Sequence, residues 1–265
     1  MRAMLLLLSL IALAVVPARA AAAASTASSD ATQVVVPRGG PVQIAFANDL
    51  TGFAAGFSAS LANAVAMAVE AHPAIRGFPI RISVVDAPCG DPAADVATAI
   101  GIVSDPQNVG VLGQLCSLGF DQALPIYDSA GVVTITGSAT NDSLPSFGPT
   151  VFNRTAVDDD DGFGGWYATV SSLPADVAWR QAYTLEFGSA PTAFADLYYD
   201  AASLLIRNLQ QVSSIDDGSL VINRSALAQA VRNTTKFQGV SCTVTLDPAT
   251  GNRVNDPDAL SRCAG

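Results

Sequence analysis

Histidine occurs once in the 265 residues, at His72, and only 14% of the chain is charged. None of the four cysteines stands in a Cys-x-x-Cys pair. A zinc site built from these residues would lack ligands, so no metal and no cofactor is expected. Basic side chains are also scarce, 13 against 23 acidic, for a formal net charge of −10. Such a surface repels nucleic acid and anionic membranes, which need basic patches. The run Asp158-Asp159-Asp160-Asp161 lacks the alternating ligands and closing glutamate of a calcium loop and reads as a solvated crossover. After the first twenty residues no apolar run is long enough to cross a membrane.

What is present begins with export. Arg2, the apolar run Met4 to Val16 and Pro17-Ala18-Arg19-Ala20 have the layout of a cleaved secretory signal peptide, residues 1–20. Residues 21–40 are rich in Ala, Ser and Thr and read as a flexible leader. Periplasmic or extracellular localisation follows, with no membrane insertion after cleavage. Four cysteines in an exported chain favour disulfides, and counting alone leaves three pairings open.

Apolar runs then alternate with helical segments: strands at Val42–Ala47, Pro79–Val85, Val109–Leu112, Val132–Thr136 and Val151–Thr155, helices at Ser58–Glu70, Asp91–Val103 and Leu118–Ala130. This alternation predicts an α/β fold, a doubly wound and mostly parallel sheet with helices on both faces. The stretch from Val111 to Gly119 organises it. Ser117 occupies an N-cap position, so its hydroxyl and the first helical amides would converge where a carboxylate could bind. The next strand ends in Gly137-Ser138-Ala139-Thr140, and two adjacent polar strand ends make a ligand crevice in an open α/β sheet. The bland reading is that Ser117 and Thr140 only cap helices. Further on, Ala175–Phe187, Thr192–Gln210 and Ser225–Asn233 read as helices and Trp166–Val170 as a short strand. Val240–Leu246 and Asn252–Val254 flank a hairpin turn.

These residues resemble the leucine-binding family, the substrate-binding proteins of branched-chain amino acid ABC transporters. Leu50-Thr51-Gly52, Asp86-Ala87-Pro88-Cys89, Gly113-Gln114-Leu115-Cys116-Ser117, Thr136-Gly137-Ser138-Ala139-Thr140, Tyr199-Asp200-Ala201 and Phe237-Gln238-Gly239-Val240 follow the family's order. The resemblance implies a non-enzymatic protein that binds an amino acid or similar small zwitterion and passes it to an ABC permease. It assigns Ser117 and Thr140 to the ligand carboxylate, the Ser138 carbonyl to the ammonium, Ala139 to the same turn, and Phe57 to an aromatic over the site. It also implies a Cys89–Cys116 disulfide, joining the ends of two neighbouring strands. Cys242–Cys263 would then pin the C-terminal tail.

One departure stands out. Family members build a second lobe after the segment resembling Phe152-Asn153-Arg154-Thr155, whereas here residues 157–165 are a short acidic, glycine-rich stretch. The expectation is therefore one lobe with no second sheet: residues 41–156 form its first part and 166–265 return to complete it. Two other functions compete. One is a sensing or interaction lobe that has lost transport. The other is a serine hydrolase with Ser117 as nucleophile and His72 as base, although Leu115-Cys116-Ser117-Leu118-Gly119 lacks the first glycine of a Gly-x-Ser-x-Gly elbow.

Overall fold

The computed structural model describes residues 32–156 and 174–254. The elements run β1 (Gln33–Val36), β2 (Val42–Asn48), α1 (Ala55–Ala71), β3 (Ala74–Ile75), β4 (Phe78–Asp86), α2 (Pro92–Ser104), β5 (Asn108–Gly113), α3 (Ser117–Ala130), β6 (Val133–Thr136) and β7 (Phe152–Arg154). They continue α4 (Pro174–Phe187), α5 (Ala195–Val212), β8 (Ser214–Asp216), β9 (Ser219–Asn223), α6 (Arg224–Arg232), β10 (Phe237–Gly239) and β11 (Cys242–Val244). The signal peptide, the strand expected at Trp166–Val170, the 157–165 crossover and Cys263 lie outside the described residues.

One six-stranded sheet, in the order β3-β4-β2-β5-β6-β7, forms the body. From β4 to β7 every pairing is parallel; Ile44 lies beside Ile82, Leu112 beside both Phe46 and Ile135, and Asn153 beside Ile135. Every residue of β2, β5 and β6 is buried. Strands covered on both faces need side chains suited to two cores, which is why they read as unbroken apolar runs. On one face α1 and α5 enclose Phe46, Leu61, Val65, Tyr198 and Leu205. On the other, α2 and α3 enclose Val111, Phe120, Leu124 and Tyr127. Local signals set the ends of several helices. The Asp91 carboxylate accepts from the Ala94 amide with Pro92 at the first helical position of α2, and Gly131 closes α3 in the left-handed region.

Two expectations require correction. Gln33–Val36, expected within the flexible leader, is a strand paired antiparallel with β9, because Val34 and Val36 alternate inward and find a core to bury in. Nor is the six-stranded sheet alone: β1-β9-β8 form a small antiparallel sheet and β10-β11 a hairpin. Among the described residues there is nevertheless one parallel sheet. No helix among them is long and apolar enough to cross a membrane.

Candidate functional site

Successive connections run in opposite directions across the sheet. The chain passes through α1 to β4 on one side, then through α2 back over β2 to β5. Such a reversal opens a crevice beyond the C-terminal ends of the strands. Asn48, Asp86, Gly113, Thr136 and Arg154 are the last residues of β2, β4, β5, β6 and β7, and the loops that follow them line that edge.

A buried polar network builds the floor. The Asn48 side chain donates to the Leu112 carbonyl (3.3 Å) and accepts from the Tyr198 hydroxyl (2.7 Å). Ser138 Oγ donates to the Leu115 carbonyl (2.8 Å) and lies 3.3 Å from the same tyrosine oxygen. Burial pushes the Tyr198 hydroxyl up to about 12, so it remains a neutral donor. Thr136 Oγ1 donates to the Gln114 carbonyl (2.8 Å) and accepts from the amides of Ser138 (3.2 Å) and Ala139 (3.1 Å). Gly137 has to be glycine, since a Cβ there would stand 2.6 Å from the Tyr198 ring.

Ser117 and the Thr140 turn meet. Ser117 Oγ accepts from the Asn141 amide at 3.1 Å, and its own hydrogen remains available to a guest. Thr140 is half-buried between Ala139 and Asn141. Behind the turn, buried Arg154 donates to the carbonyls of Ala139 (3.4 Å) and Asn141 (3.1 Å). Phe57 lies in the first turn of α1 at the same edge, exposed, as are Phe53 and Leu118. The Cys89–Cys116 disulfide ties the β4 loop to the Ser117 loop, with Cα atoms 5.6 Å apart.

The helix-cap reading of Ser117 is overturned. Leu118 and Gly119 depart from helical geometry, Gly119 at φ 93°, and regular helix starts after them. The Asp121 carboxylate takes the amides of Gly119 (3.0 Å) and Gln122 (2.8 Å), so this chain's own acid occupies part of the site expected for a ligand carboxylate. Glycine permits the turn, and a short acceptor two residues on stabilises it.

Sequence reasoning missed the Asn48–Tyr198 pair. A polar residue closing an apolar strand was the available signal. It also missed Asp95, which is buried against the Ser117 loop: a Cβ on Gly119 would fall 1.7 Å from its carboxylate. Burial first, then Asp91, Asp121, Asp49 and Asp86, push Asp95 up to about 7. The hydrolase pairing finds no geometric support. His72 caps the far end of α1, a helix of 17 residues, or about 25 Å at 1.5 Å per residue, which begins at the crevice edge.

No protein-family profile matches the chain. An amino acid binding protein of Pseudomonas aeruginosa is 30% identical over 125 residues, covering 46% of this chain and 33% of that protein. The chain thus matches about one third of the length of that curated relative. A leucine-binding protein of Thermotoga maritima superposes with a TM-score of 0.67 at 14% identity, covering 80% of this chain and 93% of its own. The branched-chain amino acid transporter substrate-binding protein of Streptococcus pneumoniae, solved with isoleucine, gives 0.65 at 14% identity, covering 81% and 94%. A solute-binding protein of Rhodopseudomonas palustris, solved with 3,4-dihydroxybenzoic acid, gives 0.67 at 12% identity, covering 81% and 91%. The chain has the α/β fold of the substrate-binding proteins of ABC transporters. Its structural neighbours within that class include those of the branched-chain amino acid transporters.

Proposed function

We propose that this chain is an extracytoplasmic solute-binding protein for an amino acid or similar small zwitterion, feeding an ABC transporter. The observation that carries this reading is the convergence of Ser117, Ser138 and the Thr140 turn beyond the ends of β5 and β6. Hydroxyls and a backbone carbonyl there offer both donors and acceptors, as a zwitterion requires. Ser117 and Thr140 would serve the carboxylate, the Ser138 carbonyl the ammonium, and Phe57 would lie against the side chain.

A single lobe leaves such a ligand open to water. A charged hydrogen bond that is never made forgoes about 1.5–3 kcal/mol, so binding is expected to be weak unless a partner covers the crevice. Calorimetric titration of the mature chain with a panel of amino acids tests the proposal. Saturable heat with at least one member supports it, and Ser117→Ala should weaken that binding about tenfold, one charged hydrogen bond at the lower end of its range. Unchanged affinity in the variant would remove Ser117 from the site.

A further inference from the structure

Between α5 and the β10–β11 hairpin lies a cavity of about 560 Å³ that shares no described residue with the Ser117–Thr140 crevice. Pockets of this size hold small organic ligands. Tyr199, Ile206, Arg207 and Gln210 recur at helical spacing, so they fall on one face of α5 and form one wall. Phe237 stands in the wall opposite. The two walls are fixed to each other. Asp200 accepts from the Val240 amide (2.8 Å), and Gly239 comes so near that a Cβ there would collide with the Asp200 carboxylate. Gln210 is held as well: its backbone carbonyl accepts from Arg76 (3.0 Å), and its side-chain amide donates to the Ala74 carbonyl (2.8 Å). The cavity is therefore preformed.

Charge sets it apart from the rest of the surface. The chain carries a formal net charge of −10, yet of the five basic side chains exposed among the described residues three border this cavity. Arg207 lines it, Arg76 grips Gln210, and Lys236 adjoins Phe237 in the chain. The Arg207 guanidinium lies over the Phe237 ring, 5.6 Å from its centre. That stack orients the side chain and leaves its N–H donors unused, since among the described residues no carboxylate and no carbonyl takes them. Asp200 is the single acid among the described lining residues. Its oxygens are taken up by the Val240 and Ser241 amides and the Ser241 hydroxyl.

We propose that this cavity is a second ligand site, for small organic monocarboxylates with an apolar body such as an aromatic ring, and that Arg207 holds their carboxylate. A planar guanidinium presents paired donors that match the two oxygens of a carboxylate. Tyr199, Ile206 and Phe237 would cover the apolar body, as aromatic and aliphatic walls do in ligand pockets. A zwitterion is disfavoured here, because its ammonium would meet Arg207 and find no free carboxylate. The site does not depend on what the Ser117 crevice binds.

Three probes share an indole ring and differ in charge: indole-3-acetate, indole-3-acetamide and tryptamine. In calorimetric titration of the mature chain at low ionic strength, indole-3-acetate should bind about tenfold more tightly than either of the others, with the margin shrinking as salt is added. In amide spectra it should shift residues 199–211 and 237–240 and leave 113–119 and 136–141 unchanged. Arg207→Gln should weaken its binding about tenfold, one charged hydrogen bond lost. Arg38→Gln, which removes an exposed cation just after β1, should leave the affinity within about a factor of two. The charge series on the parent chain needs no variant to fold. Indole-3-acetamide binding as tightly as the acetate, full affinity in the Arg207→Gln chain, shifts in the crevice loops instead of the groove, or no binding of indole-3-acetate would overturn the assignment. The crevice as an amino acid site is decided by its own titrations.

Discussion

Asp200 gives the sharpest stability prediction. Its buried carboxylate accepts from the amides of Val240 (2.8 Å) and Ser241 (2.9 Å) and from the Ser241 hydroxyl, and so holds the β10–β11 hairpin against α5. Ser241 Oγ in turn accepts from Arg253 at 2.9 Å. That guanidinium, also buried, donates to the carbonyls of Thr155 (2.9 Å), Ser241 (2.6 Å) and Thr243 (3.1 Å). Burial holds Arg253 down at about 10, against the opposing pull of Asp200 and, less, of Asp196. Asp200→Ala would leave the Val240 and Ser241 amides and the Ser241 hydroxyl without their acceptor and would remove the larger of the two acids that act on buried Arg253. Removing one partner from such an arrangement costs about 4 kcal/mol. Asp200→Asn keeps one acceptor and should cost roughly half as much. Asp216→Ala, on exposed β8, serves as the control and should stay within about 0.5 kcal/mol. Urea unfolding followed by circular dichroism reads all three. An Asp200→Ala protein within about 1 kcal/mol of the parent, at an unchanged slope, would refute this account.

The double variant Cys89→Ser/Cys116→Ser opens a closure of 27 residues and should lose about 3.5 kcal/mol in the chain-entropy model; chemical unfolding with no shift in midpoint would contradict that. Stability should also fall as pH rises from about 4, the ordinary carboxylate range, to about 7. Burial raises Asp95 to about 7 and Asp200 to about 6, and it also raises Asp196, so the folded chain keeps protons that the unfolded chain has released. Thermal melts across that window should show the decline, and Asp95→Asn should flatten it. A curve that rises over the same range would reverse the sign of the argument.

Much of the fold was legible because parallel strands buried on both faces leave little choice of side chain. Val42–Asn48 and Asn108–Gly113 announce themselves as apolar runs, and Asp91-Pro92 marks the start of α2 in the sequence itself. What escaped depends on partners distant in the chain. Gln33–Val36 becomes a strand only because β9 lies beside it. The β8–β9 hairpin carried a readable signal in Asp217-Gly218, both at positive φ. At the site, Ser117 and the 138–140 turn come together as their spacing suggested. The cap assignment failed because Gly119 and Asp121 solve the same local problem without the serine hydroxyl. Asp95 could not have been singled out from α2 alone, since its burial depends on the close approach of Gly119 from another element.

Amide mapping by nuclear magnetic resonance tests the central claim most directly. Titrating L-lysine and L-leucine into the isotopically labelled mature chain should shift the amides of residues 113–119 and 136–141, with Ser117 and Thr140 among the largest changes. The groove between α5 and β10, lined by His72, Arg207 and Phe237, should stay unchanged. Shifts confined to that groove, or no shifts with either ligand, would contradict the assignment of the crevice as the solute site.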